Sequence, residues 1–293
     1  METSRSIRPG DIYQNWLNGE NECEGCERRD EDCITTPYFG FGDFPAEVVF
    51  LGEAPGGTGA GGNNYLDTDK RVWKNYREVV DDAGEAVPGK ISDFALGLEG
   101  LNNSHYDQLV SFFDAIEREL EDIDHPQSFY YTNVAKCSDI WERTEESRRD
   151  DLNDLGIQRC RDGYLLSELQ GADPSVIILF SKGTEHITDT LKTLGVPDVP
   201  SYGSVTPYVF NFEYEPGSSP FNSYHSPLLD AHIIVSYHYK QGFTETTNQV
   251  DEGKVRAEDI GLSAAEYSSD ATTPRPKYAD GVATKVCELI GGS

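Results

Sequence analysis

Four short apolar runs punctuate an otherwise polar chain: Val48 to Leu51, Phe129 to Tyr131, Val176 to Phe180 and Ile233 to Val235. Each is rich in β-branched or aromatic residues. Runs this short and this uniformly apolar fit strands buried on both faces of a parallel sheet. The predicted strands cover 46–52, 129–136, 176–180 and 233–237, with another at 207–212. Between them the apolar positions change to helical spacing. Leu109, Phe112, Phe113, Ile116 and Leu120 share one helical face. Leu152, Leu155, Cys160, Leu165 and Leu169 mark a long helix over 145–169, which Gly156 and Gly163 can interrupt. Further helices are predicted from Gly183 to Leu194 and from Ala279 to Ile290. A short one near the N-terminus gathers Ile7, Tyr13, Trp16 and Leu17. Strands alternating with helices predict an α/β fold, a three-layer α/β/α sandwich around a central, mainly parallel sheet of four or five strands. We expect one domain over 1–293, with an insertion at about 66–125 and an irregular polar segment at about 245–278.

Charge changes the picture of the surface. Fifty-two acidic residues against 24 Lys and Arg give a formal net charge of -28. With 37% hydrophobic and 11% aromatic residues the chain still has the means to build a core, so repulsion does not imply disorder. An acidic, lysine-poor surface fits the cytoplasm of a halophilic cell, where hydrated carboxylates maintain solubility. The N-terminal residues do not combine a basic region with an apolar core, and no apolar run has the length of a membrane span. We therefore expect a cytoplasmic protein without a membrane partner, and a monomer. At low salt such a charge would repel nucleic acid. At about 1 M salt the Debye length is roughly 3 Å, so local contacts decide and a nucleic-acid substrate stays open.

Two groups of residues carry candidate chemistry. The first strand runs into Gly52-Glu53-Ala54-Pro55-Gly56 and more glycine up to Gly62. Ligands in open α/β sheets bind at the carboxyl ends of strands, where glycine lets backbone approach closely. The pattern is not a phosphate-cradling loop of the G-x-x-x-x-G-K-[ST] type. A plain glycine-rich surface loop is the competing reading. On the second strand Asn133 stands near the carboxyl end, where its amide offers a ligand both a donor and an acceptor, or else satisfies a turn. The six cysteines form the second group. Cys23-x-x-Cys26 with Cys137 and Cys160 could supply four thiolates to a tetrahedral zinc or to an iron–sulfur cluster. Cys287, on an apolar helix face, reads as an ordinary buried thiol; Cys33 could replace another ligand or have no role.

Together the blocks CEGC, FLGEAPG, TNVAKC, a cysteine in the following helix, YLLSEL and DPSVIILF resemble the uracil-DNA glycosylase superfamily. They are most similar to its iron–sulfur family 4 type of archaea and bacteria. The resemblance covers roughly residues 23–60 and 129–190. It implies a base-excision DNA-repair hydrolase acting on DNA that contains uracil or another damaged base. It also implies a [4Fe–4S] cluster on Cys23, Cys26, Cys137 and Cys160, with a structural or loop-positioning role; zinc is the alternative cofactor. Glu53 and the adjacent backbone amides would sit by the glycosidic bond and the water, with Gly52, Ala54, Pro55 and Gly56 forming the substrate-binding turn around it. Asn133 would read the uracil edge, and Tyr65 would stack on the base. After the last strand His238 corresponds to the histidine that faces the leaving base, ahead of His225 as a rival. The residues beyond it, Tyr239 to Phe243, depart from the family's loop and leave the wedge residue to Tyr239 or Phe243. Lys136, Arg143, Lys182 and Lys240 are candidate phosphate contacts. The altered loop also admits a non-catalytic nucleic-acid-binding or scaffold member of the same fold.

Overall fold

The computed structural model describes residues 7–26, 36–37, 40–53, 104–138, 155–181, 185–201, 221–237 and 275–291. In chain order the elements are α1 (Pro9–Asn18), β1 (Thr36–Pro37), β2 (Phe41–Gly42), β3 (Val48–Gly52), α2 (Ser104–Asp122), β4 (Phe129–Asn133) and β5 (Cys137–Ser138). They continue with α3 (155–172), β6 (Val176–Ser181), α4 (Glu185–Thr193), β7 (Ser223–Ser226), β8 (Ala231–Tyr237) and α5 (Arg275–Gly291). The fold is α/β, as the alternation of apolar runs predicts. Among the described residues no helix is long and apolar enough to cross a membrane. The chain divides into two compact units, Met1–Lys90 with Phe129–Pro174, and Ile91–Ser128 with Ser175–Ser293.

The first unit is built on β4. It pairs in parallel with β3, from Val48 opposite Phe129 to Gly52 opposite Asn133, and antiparallel with β2 on its other side. All five residues of β3 and of β4 are buried, so β3 reads as an apolar run and β4 does so as far as Tyr131, before Thr132 and Asn133. The Ala46 N–H donates to the Ala172 carbonyl at 2.8 Å, tying the start of β3 to the end of α3. α1 opens with Pro9 at its first position and with the Arg8 N–H donating to Asp11 Oδ2 at 3.0 Å, and it buries Ile12 against Cys23, Cys160 and Tyr164.

Three local differences from the sequence reading have physical causes. β4 ends at Asn133 instead of 136, because the next residues bend away. α3 is not broken at Gly163. It passes through a π-helical stretch, Arg161–Leu165, and resumes as α-helix over Leu166–Ala172. The two-residue strands β1, β2 and β5 are too short to leave a periodic signal.

In the second unit β8 is central. It runs parallel to β6 and antiparallel to β7. α5 lies along α2 and also packs on β6 and β8. Phe112, Phe113, Ile116 and Leu120 of α2 are buried, as their spacing predicts. Tyr278 of α5 stands at the centre of the packing, with its ring edge-on to Phe112 at 5.7 Å and to Phe221 at 5.4 Å. The predicted strand 207–212 and the irregular segment 245–278, up to the start of α5, lie outside the described residues.

Candidate functional site

The paired tips of β3 and β4 bring Gly52 directly opposite Asn133. Side chains alternate along a strand, so Tyr131 and Asn133 leave one face of β4 while Tyr130 and Thr132 leave the other. On the first face the Asn133 amide lies across Gly52. A Cβ built on Gly52 would collide with Asn133 Oδ1 and come within 3.2 Å of both Asn133 Cγ and the Tyr131 hydroxyl. Only glycine leaves room for the amide there. Asn133 is 1% exposed, and neither its Oδ1 nor its Nδ2 has a hydrogen-bond partner among the described residues. Glu53 follows Gly52 and is half-buried, and its carbonyl accepts from the Ala135 N–H at 3.0 Å. The Val134 N–H donates to the Gly52 carbonyl at 2.8 Å, so the two chains stay tied past the last ladder pair. The acid and the amide predicted to act together therefore stand on adjacent strand tips of one unit.

Behind the amide, on the other face of β4, lies a buried ionic network that sequence reasoning missed. Glu168 of α3 is 0% exposed and pairs with Lys136, which is 3% exposed. Glu168 also accepts from the Tyr130 hydroxyl at 2.7 Å and from Thr132 Oγ1 at 2.9 Å. Lys136 Nζ donates to Thr132 Oγ1 at 2.8 Å and to the Asn133 main-chain carbonyl at 2.5 Å. Lys136 is thus a core residue, not a solvated cation available to phosphate. The signal for it was present but unreadable alone. A lysine three residues beyond a buried strand end needs a carboxylate partner, and Glu168 is 32 positions away.

The cysteines converge in part. Cys23, Cys26 and Cys160 are buried, with no disulfide among them, and all belong to the first unit. Cys23 and Cys160 share the cluster around Tyr164, whose hydroxyl lies 3.5 Å from Cys23 Sγ. Burial pushes that hydroxyl far above the usual phenol range, and the neighbouring Cys23 adds to the shift. The Cys26 N–H reaches back to the Cys23 carbonyl. Arg159, next to Cys160, donates to the carbonyls of Gly25 and Glu24 at 2.9 and 3.1 Å, so α3 grips the CEGC turn. The backbone of Cys137 begins β5, which pairs with β1; its side chain lies outside the described residues. Among the described residues no group of three His, Cys, Asp or Glu side chains is arranged to hold a metal. The donor chemistry, three buried sulfurs drawn from two neighbouring segments, still suits a soft-metal centre of zinc or iron–sulfur type.

In the second unit the last parallel strand ends at Tyr237. The Tyr237 N–H donates to the Tyr278 hydroxyl at 2.8 Å, and Ser236 Oγ hydrogen-bonds the same oxygen at 3.0 Å. Tyr278 thereby fixes the strand end that leads into His238. His225 lies exposed on β7, with Asp230 3.4 Å away. His238, Ala54, Pro55, Gly56, Tyr65 and Cys33 lie outside the described residues, as do the other cations and wedge residues proposed from sequence, Arg143, Lys182, Tyr239, Lys240 and Phe243.

No model of a known protein family matches the chain, and no curated protein matches it.

Proposed function

We propose that this protein is a DNA glycosylase that hydrolyses the N-glycosidic bond of uracil, or of a related damaged base, turned out of DNA. One observation carries the reading. The Asn133 amide is buried across Gly52, next to the start of Glu53, with no hydrogen-bond partner among the described residues. Leaving such a group unsatisfied costs about 1–3 kcal/mol, which a ligand that pairs with it would offset. An amide with adjacent acceptor and donor matches the N3–H and O4 edge of uracil, and in that orientation it mismatches cytosine. A base reaches strand tips like these only after rotating out of its stack.

In the reaction the bond from C1′ to the base nitrogen breaks, and its electron pair leaves on uracil. The sugar becomes oxocarbenium-like, and a water oxygen adds at C1′. The Glu53 carboxylate would favour the cationic sugar, orient the water and accept its proton. His238 would donate a hydrogen bond to the uracil anion, a preorganised electrostatic contribution of the oxyanion-hole kind. Cys23, Cys26, Cys137 and Cys160 would hold a [4Fe–4S] cluster that supplies structural anchoring.

The test is uracil release from uracil-containing single- and double-stranded DNA in concentrated KCl. The wild type is compared with Glu53→Ala, Asn133→Ala and His238→Ala. Free uracil and an abasic strand from the wild type, lost in the variants, are the expected products. An absence of uracil at every salt concentration would remove the proposal.

A further inference from the structure

We infer that the buried Lys136–Glu168 pair is a positioning device for Asn133, setting the orientation in which its amide meets a base; this rests on the glycosylase reading above. An Asn amide that turned over would offer its donor and acceptor in reverse order and would suit cytosine instead of uracil. What holds the side chain to one orientation is therefore part of specificity. On its own face the Asn133 amide lies over Gly52, where the Tyr131 hydroxyl also stands. Its main chain is gripped from behind. Lys136 folds back on the strand end and grips the Asn133 carbonyl at 2.5 Å, while Glu168 holds Lys136 and collects the Tyr130 and Thr132 hydroxyls. The main-chain carbonyl of the proposed base-reading residue is thus hydrogen-bonded to one end of an ion pair with almost no solvent exposure.

Such a pair is a poor way to gain stability. Desolvating two charges offsets most of their attraction, and a well-packed apolar replacement often does as well. Fixing one geometry is the better-attested use of a buried charge. The network also joins two segments that carry proposed cluster ligands. Lys136 immediately precedes Cys137, and Glu168 follows Cys160 by about two helical turns.

The experiment compares the wild type with Lys136→Met, Glu168→Gln and the double variant. It reads denaturation midpoint, single-turnover uracil release, KM for DNA, and amide hydrogen exchange at Val134 and Ala135. Lys136→Met alone leaves a buried carboxylate without its partner and should lower the midpoint. In the double variant the glutamine that replaces Glu168 keeps a carbonyl for the Tyr130 and Thr132 hydroxyls, and the midpoint should return towards wild type. Uracil release should nevertheless stay at least about tenfold below wild type, with KM little changed and with faster exchange at Val134 and Ala135. A double variant that regains both midpoint and rate would make the pair merely structural and overturn the inference. A wild type that releases no uracil would instead reject the glycosylase reading. The exchange measurement still decides the positioning in that case, and unchanged protection of Val134 and Ala135 in the double variant would reject it.

Discussion

Replacing Asn133 by leucine should move stability and activity in opposite directions. Leucine is close to asparagine in shape but makes no hydrogen bond. In the wild type both polar atoms of the Asn133 side chain are buried and lack partners among the described residues. The folded state thus bears a desolvation penalty of about 1–3 kcal/mol for this group, and Asn133→Leu removes it. Buried apolar surface contributes in the same direction. We expect the variant to be more stable by about 1–3 kcal/mol, read as a higher urea midpoint with an unchanged slope. The same change deletes a two-point contact to the base edge. Contacts of that kind are worth about 1–3 kcal/mol, so uracil release should fall by roughly 5- to 150-fold. Denaturation and single-turnover release on the same preparations give both numbers. A lower midpoint would mean that the amide is satisfied within the folded protein and is not held for a ligand. An unchanged release rate would mean that it does not read the base.

Three further expectations follow from the geometry. Gly52→Ala puts a methyl onto Asn133 Oδ1, so it should destabilise by about 1–3 kcal/mol and cut uracil release; adding Asn133→Ala should restore the stability but not the release. Burial, then the charges of His225 and Lys285, lower His232 below its ordinary 6.5, against the pull of Asp230. Folding therefore favours neutral His232. The benefit is complete above pH 6.5 and is lost as pH falls towards the lowered value, so the melting temperature should drop on acidification in that window, and less so in His232→Gln. Serine in place of Cys23, Cys26, Cys137 or Cys160 should each deplete iron and acid-labile sulfide from anaerobically purified protein, whereas Cys287→Ser should leave them unchanged. Zinc in the wild type in place of iron would assign the sulfurs to the alternative centre.

The central strands were legible because burial on both faces leaves nothing in Val48 to Leu51 or Val176 to Phe180 but apolar side chains. β7 was not, since Ser223 to Ser226 is a polar edge strand largely open to solvent. The burial of Lys136 depends on a carboxylate of α3, Glu168, that no local pattern could reveal. Gly52, Glu53 and Asn133 were readable as a group from their positions at the ends of two apolar runs. That the amide lies over the glycine depends on strand register, which the sequence does not carry. Cys23, Cys26, Cys137 and Cys160 were readable as candidate ligands; that Cys23, Cys26 and Cys160 are buried, with the Arg159 clamp and the Tyr164 hydroxyl beside them, came only with the fold.

The claim on which all of this depends is that the Asn133 side chain is held ready for a pyrimidine edge. Its most direct test follows the Asn133 side-chain amide resonance in isotope-labelled protein during titration with free uracil in concentrated KCl. We predict a saturable shift with uracil, a much weaker response to cytosine, and no such resonance in Asn133→Leu. A resonance that stays in place as uracil is raised to its solubility limit would contradict the claim.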